Sequence, residues 1–231
     1  MYRQHPLDNP ARASLLGPHA YLAERCGQAL RYPADISPFT ALPDDADEAA
    51  WADLATLLGP GSVAVTAVAP AIAPASWTVL MTIDAVQMVG DHLAPAADGE
   101  AIVLRPADVP EMLDLVARTR PGPFRPRTIE LGGYLGIRRD GELVAMAGCR
   151  LRPAGWTEIS AVCTDPAVRG QGLASRLTLA VAAAIENQGD QPFLHVSADN
   201  VGAIRLYQSL GFRQRRAATF LVARVPAGPR P

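Results

Sequence analysis

Apolar residues recur along this chain at two spacings, one near 3.6 residues and one near 2. From Asn9-Pro10 to Leu30, the points Leu15, Leu16, Leu22, Cys26 and Leu30 predict a helix, broken at Gly17-Pro18. Tyr32 to Pro43 is punctuated by proline and reads as irregular. Asp44 to Leu58 predicts a second helix: acids crowd its first turn, Trp51, Leu54, Ala55 and Leu58 share a face, and Gly59-Pro60-Gly61 stops it. Ser62 to Val68 and Trp77 to Ile83 are β-like, with an Ala/Pro loop over Ala69 to Ser76. Asp84, Gln87 and Asp91 then punctuate an apolar segment ending at His92.

Leu93 to Gly99 is small and turn-forming, and is the expected boundary between a unit over 1–95 and one over 101–226. Beyond it, Ala101 to Arg105 reads as a strand and Val109 to Arg118 as a helix, with Asp108 and Pro110 suited to its start. Thr119 to Thr128 is a Pro/Arg loop. Leu131 to Arg138 and Leu143 to Leu151 are strands joined by the turn Arg139-Asp140-Gly141-Glu142. Trp156 to Thr164 is a strand that Asp165-Pro166 breaks. Leu173, Leu177, Val181, Ala184 and Ile185 then mark a helix starting close to Gly172. Phe193 to Ser197 is a strand, Asn200 to Leu210 a helix, and Phe212 to Val225 one or two closing strands. The expected class is α/β in the mixed, α+β sense.

Composition narrows the setting. Hydrophobic residues make up 49% of the 231 and charged residues 19%, as in a globular protein. Three cysteines, Cys26, Cys149 and Cys163, suggest no disulfide framework and point to a reducing cytoplasm. No apolar run is of membrane-spanning length, and no apolar stretch follows Met1 to Pro6 as a signal peptide would require, so no membrane partner is expected. Residues 1–100 hold 4 Arg against 12 acids, net −8; residues 101–231 hold 17 Arg against 11 acids, net +6. The positive half suits a polyanionic cofactor. Every one of the 21 cations is Arg, and without a lysine-rich arm or aromatic-basic interleaving no nucleic-acid partner is expected. No metal site is expected.

The chemistry concentrates at Val168-Arg169-Gly170-Gln171-Gly172-Leu173-Ala174-Ser175. A strand, a Gly-rich turn and a helix N-terminus make a phosphate site, because first-turn N–H groups lack partners and the helix dipole is positive there. The Walker pattern needs a lysine, and the dinucleotide fingerprint a different glycine spacing; neither fits. Arg-x-x-Gly-x-Ala over Arg169 to Ala174, followed by Asn200-x-x-Ala203-x-x-Leu206-Tyr207-x-x-Leu210-Gly211-Phe212, resembles the GNAT superfamily of N-acetyltransferases over roughly 101–226, and within it the glycine-acyltransferase-like C-terminal domains.

That resemblance implies a mostly antiparallel sheet, splayed between its fourth and fifth strands, and an acyltransferase moving an acetyl group from acetyl-CoA (coenzyme A) to an amine by direct attack. It implies that Arg169, Gly170, Gln171, Gly172, Leu173, Ala174 and Ser175 hold the pyrophosphate. The backbone of Val162, Cys163 and Thr164 would meet the pantetheine, with Cys163 an inert thiol. Asn200 is an N-cap by type and by resemblance a cofactor contact. Tyr207 matches the acid that protonates the departing thiolate. Glu158 or His195 would supply the base, although the similar ribosomal-protein alanine acetyltransferases carry glutamate where His195 stands. The single helix before the Arg118, Arg120, Arg125 and Arg127 loop leaves room for residues 1–95, which could be a decayed copy of the same fold, to wall the acceptor site, with Glu130, Tyr134 and the Asp84 segment as candidates. The acceptor would be a small molecule or a peptide amine, and a homodimer stays open. A non-catalytic acyl-CoA sensor and a transferase of a longer acyl group are the alternatives.

Overall fold

A computed structural model describes residues 5–67 and 73–227. Val68 and residues 69–72, expected to end a strand and begin a loop, lie outside the described residues, as do residues 1–4 and 228–231.

The local expectation that holds most closely is the turn at Asp140-Gly141. Both residues have positive φ, 51° and 86°, as a two-residue type I′ connection requires, and they join β7 (Tyr134–Arg139) to β8 (Glu142–Cys149). The other strands are β1 (Glu24–Cys26), β2 (Ala29–Arg31), β3 (Phe39–Ala41), β4 (Val63–Ala67), β5 (Thr78–Val89), β6 (Ile102–Val103), β9 (Trp156–Thr164), β10 (Gln191–Ser197) and β11 (Arg213–Arg224). Helices are α1 (Pro10–Leu16), α2 (Glu48–Leu58), α3 (Val109–Thr119), α4 (Leu173–Glu186) and α5 (Val201–Leu210).

All the strands join one sheet in the order β1-β2-β3-β4-β11-β5-β10-β9-β8-β7-β6. Its pairs are antiparallel except β3 with β4 and β9 with β10. The sheet does not break where Leu93 to Gly99 was expected to divide the chain. β5, from before that stretch, pairs along one edge with β10 (Ser197↔Ala85) and along the other with β11 (Phe220↔Ile83), both from after it.

The expected helix over Asn9 to Leu30 stops at Leu16, and β1 and β2 form a hairpin instead. Gly27, with φ 50°, is the first of the two residues that turn it. β3 occupies part of the stretch expected to be irregular. β5 runs on past Asp84 and Gln87, whose polarity looked like an interruption.

Leu173, Leu177, Val181 and Ile185 of α4 pack on β8 to β10 together with Tyr207 and Phe212. A second cluster joins Leu7, Leu15, Tyr32 and Phe39 to Phe193 and Phe220, so the first half of the chain contributes core to the second. Trp51 of α2 meets Trp77 edge-on at 4.9 Å.

Candidate functional site

β9 leaves the sheet at Asp165, whose carboxylate accepts from the Ala167 N–H at 2.9 Å and pairs with Arg118 at 2.8 Å. The chain then turns through Gly170 (φ 82°) and Gly172 (φ 73°), left-handed conformations that favour glycine, and α4 begins. The backbone N–H groups of Gly170, Gln171, Gly172, Leu173, Ala174 and Ser175 donate to no protein acceptor among the described residues, whereas the flanking Arg169 and Arg176 amides do. No side chain caps this helix, and a Cβ at Gly170 or Gly172 would meet nothing within 4 Å. A row of free donors at a helix N-terminus, facing open space, has the chemistry to hold an anion.

The second element is the gap beside β9. β9 and β10 pair only at Gln191↔Trp156, Pro192↔Thr157 and Phe193↔Glu158, and then part. A bulge interrupts the β8 to β9 register between Met146 and Gly148, and Ala161 takes φ 54°. The opening leads into a cavity of about 900 Å³.

Of the residues expected to hold cofactor, Val162–Thr164, Arg169–Gly170, Gly172–Ser175, Asn200 and Tyr207 all line this cavity, and Gln171 does not. Asn200 caps α5, its Oδ1 accepting from the Ala203 N–H at 3.1 Å. Burial pushes the Cys163 thiol up to about 11, in keeping with an inert thiol. Tyr207 is 8% exposed, and its ring meets Phe212 edge-on at 5.7 Å. Burial, with Cys163 nearby, pushes its phenol up to about 12.

The expected bases are differently placed. Glu158 is 0% exposed and does not line the cavity. Arg150 Nε and Nη2 donate to its two oxygens at 2.8 and 2.6 Å, and His195 Nδ1 lies 2.7 Å from Oε1. Burial alone would raise its pKa, but the Arg150 charge and the bonds from Arg150 and His195 outweigh that and hold it down to about 2. A carboxylate so engaged is a poor proton acceptor. His195 does line the cavity, yet its Nε2 lies 3.1 Å from Gln87 Nε2. Gln87 also donates to the Leu7 carbonyl at 2.8 Å and accepts from Arg215 at 2.8 Å, which fixes which end of its amide is nitrogen. Its N–H therefore points at His195 Nε2, and the ring proton sits on Nδ1, donated to Glu158. His195 thus has both ring nitrogens engaged, and the two oxygens of Glu158 take three hydrogen bonds between them. Both act here as parts of a buried network.

Residues 1–95 do reach the cavity, through Phe39, Val65, Ile83 and Ala85. Of the wall candidates named from sequence, Glu130 is paired with Arg127 and Tyr134 is 1% exposed in another cluster; neither lines the cavity. Arg120 lines it, while Arg118 and Arg127 are in ion pairs. Arg150 and Phe220 were not singled out from sequence. An arginine inside the apolar run Leu143 to Leu151 was the available signal for the first.

The model of a family described as "FR47-like protein" matches residues 134–221. A crystal structure from Novosphingobium aromaticivorans, assigned to the GNAT family of acetyltransferases, is 40% identical and superposes with a TM-score of 0.88 over 95% of this chain and 98% of its own. A GCN5-related N-acetyltransferase from Kribbella flavida, 21% identical, shares the fold at a TM-score of 0.63 over 95% of this chain and 96% of its own. Mycothiol acetyltransferase from Thermomonospora curvata is 34% identical over 112 residues, 46% of this chain and 36% of that protein. The mycothiol acetyltransferase of Thermobispora bispora is 48% identical over 56 residues, 24% of this chain and 19% of that protein. The matches therefore span well under half the length of these curated relatives.

Proposed function

The chain belongs to the GNAT family of acetyltransferases, and on that premise we propose that it transfers an acetyl group from acetyl-CoA to the amine of a small molecule. The row of unpaired amides from Gly170 to Ser175 carries this reading. Its donor set fits coenzyme A: the amides and Arg169 suit a diphosphate, and the parted edge of β9 over Val162 to Thr164 suits an amide-bearing arm. Coenzyme A supplies the thioester whose carbonyl carbon the amine attacks.

The residues of this chain then bind, orient and protonate. Along β9, Glu158 and Thr164 are six residues apart, roughly 20 Å at strand rise. The diphosphate end and the acceptor end of the cavity thus lie at opposite ends of the splay. Tyr207 would be the hydrogen-bond donor at the departing sulfur. A phenol held near 12 lies well above the ordinary thiol value of about 8.5, so Tyr207 acts chiefly by donating a hydrogen bond to the charge developing on sulfur. The amine's proton passes to water. Glu158 and His195 are positioning residues in this scheme.

Calorimetry with coenzyme A tests the premise. Wild type should bind, and Gly172→Val should bind at least about tenfold more weakly, because it strains a left-handed residue and puts a side chain over the donors. Equal affinity of the two proteins would remove the pyrophosphate assignment. The engagement of both expected bases favours one rival, a non-catalytic acyl-CoA sensor; binding without turnover of any amine would favour it. Benzoyl-CoA alongside acetyl-CoA tests the longer-donor alternative.

A further inference from the structure

The far end of the cavity carries an uncommitted donor. Arg150 is 9% exposed and spends Nε and Nη2 on Glu158. Its Nη1 has no hydrogen-bond partner among the described residues and is not among the buried polar atoms sealed away without one. The guanidinium stands 4.7 Å over the Phe39 ring, which lies 5.7 Å from that of Phe220. Val65 and Ile83 continue this apolar wall. The charged side chains lining the cavity are Arg120, Arg150 and Arg169, and no Asp or Glu is among them.

We infer that the acceptor is a small primary amine that also bears a carboxylate and an apolar body, an α-amino acid with a bulky apolar side chain, held through its carboxylate by Arg150 Nη1. This inference rests on the acetyl-transfer reading and goes further by naming the acceptor's class. A cationic acceptor such as a polyamine would find no carboxylate partner in the lining and would meet the Arg150 guanidinium. A purely apolar amine would leave Nη1 facing it unpaired, which a buried charged donor penalises. An amino acid satisfies both ends: its carboxylate meets the free N–H, and its side chain covers Phe39 and Phe220. Glu158, behind the guanidinium, keeps the pair neutral overall, so the carboxylate is recognised by a directed hydrogen bond more than by net charge. Arg150, just after β8, is thus a specificity-determining residue, and Phe39, Val65 and Ile83 form the apolar wall together with Phe220.

The experiment measures kcat and KM for the full chain with acetyl-CoA and matched amines: L-phenylalanine, L-phenylalaninamide and phenethylamine. Phenylalanine should exceed phenethylamine in kcat/KM by at least about tenfold, mainly through KM, with the amide between them. Arg150→Met combined with Glu158→Gln removes both buried charges together, and in it the preference for the carboxylate should vanish. Phenethylamine equalling phenylalanine in wild type overturns the inference, as does a preference that survives in the paired variant. Both results leave acetyl transfer intact. Coenzyme A binding with no turnover of any amine overturns the acetyl-transfer reading itself.

Discussion

Tyr207→Phe should lower kcat by about 100-fold or more while leaving coenzyme A affinity nearly unchanged, because it removes only the hydroxyl. The ring stays in its edge-on contact with Phe212, so the fold loses little. The hydroxyl makes no hydrogen bond among the described residues, and the cavity is where it can find one. Its pH behaviour is a second signature. With the phenol pushed up to about 12, the donor stays protonated through pH 10, where an ordinary tyrosine would already be half ionised. Wild-type activity should therefore rise through the pKa of the acceptor amine, as more of it becomes neutral, and show no falling limb below about pH 11. No rising limb should come from Glu158, already ionised above about 2. Stopped assays of wild type and Tyr207→Phe between pH 6 and about 10.5 decide the matter. A descending limb near pH 9 in wild type that disappears in the variant would show a phenol of ordinary acidity and remove the argument from burial.

The turn of free amides ahead of α4 was legible because its signals are local. Asp165-Pro166 ends a strand, two glycines take left-handed φ, and a helix begins, all within a few residues of one another. The network around Glu158 and His195 was not legible, because its contacts are not local. Gln87 and His195 are 108 residues apart, and what each does depends on strand order. β5 pairs with β10 only because the sheet admits a strand from the first half of the chain, and alternation along β5 says nothing of its neighbours. Glu158 and His195 were found as chemical types in plausible strands, but their bonding to Arg150, Gln87 and each other was not visible there. A carboxylate reads the same in sequence whether its partner is a substrate or a buried arginine. Phe39 lay in a stretch dismissed as irregular, since a strand of three residues, Phe39–Ala41, is too short to show alternation.

Arg150→Met alone should destabilise the protein by about 3–5 kcal/mol, the cost of leaving one member of a buried ion pair uncompensated. Glu158 is 0% exposed, and without the guanidinium its one remaining side-chain partner is His195 Nδ1. The paired change, Arg150→Met with Glu158→Gln, should recover most of that loss, because a neutral amide can still accept the His195 N–H and no charge is stranded. The two cases also differ in sign with pH. In wild type the Glu158 pKa is depressed, so its stabilisation is fully present above the unfolded value of about 4.3 and fades as pH falls towards about 2. In Arg150→Met the opposing charge is gone and burial dominates, so the pKa is raised above its unfolded value. The penalty is then present at neutral pH and relieved on acidification as the carboxyl takes up a proton. The gap in stability between wild type and Arg150→Met should therefore narrow steadily as pH is lowered from 7 to about 4, whereas the gap to the paired variant changes less over that range. Urea midpoints at each pH measure both gaps. A constant gap for Arg150→Met would mean that Glu158 does not carry a buried charge in the folded protein, and the bonded carboxylate on which the positioning role depends would have to be abandoned.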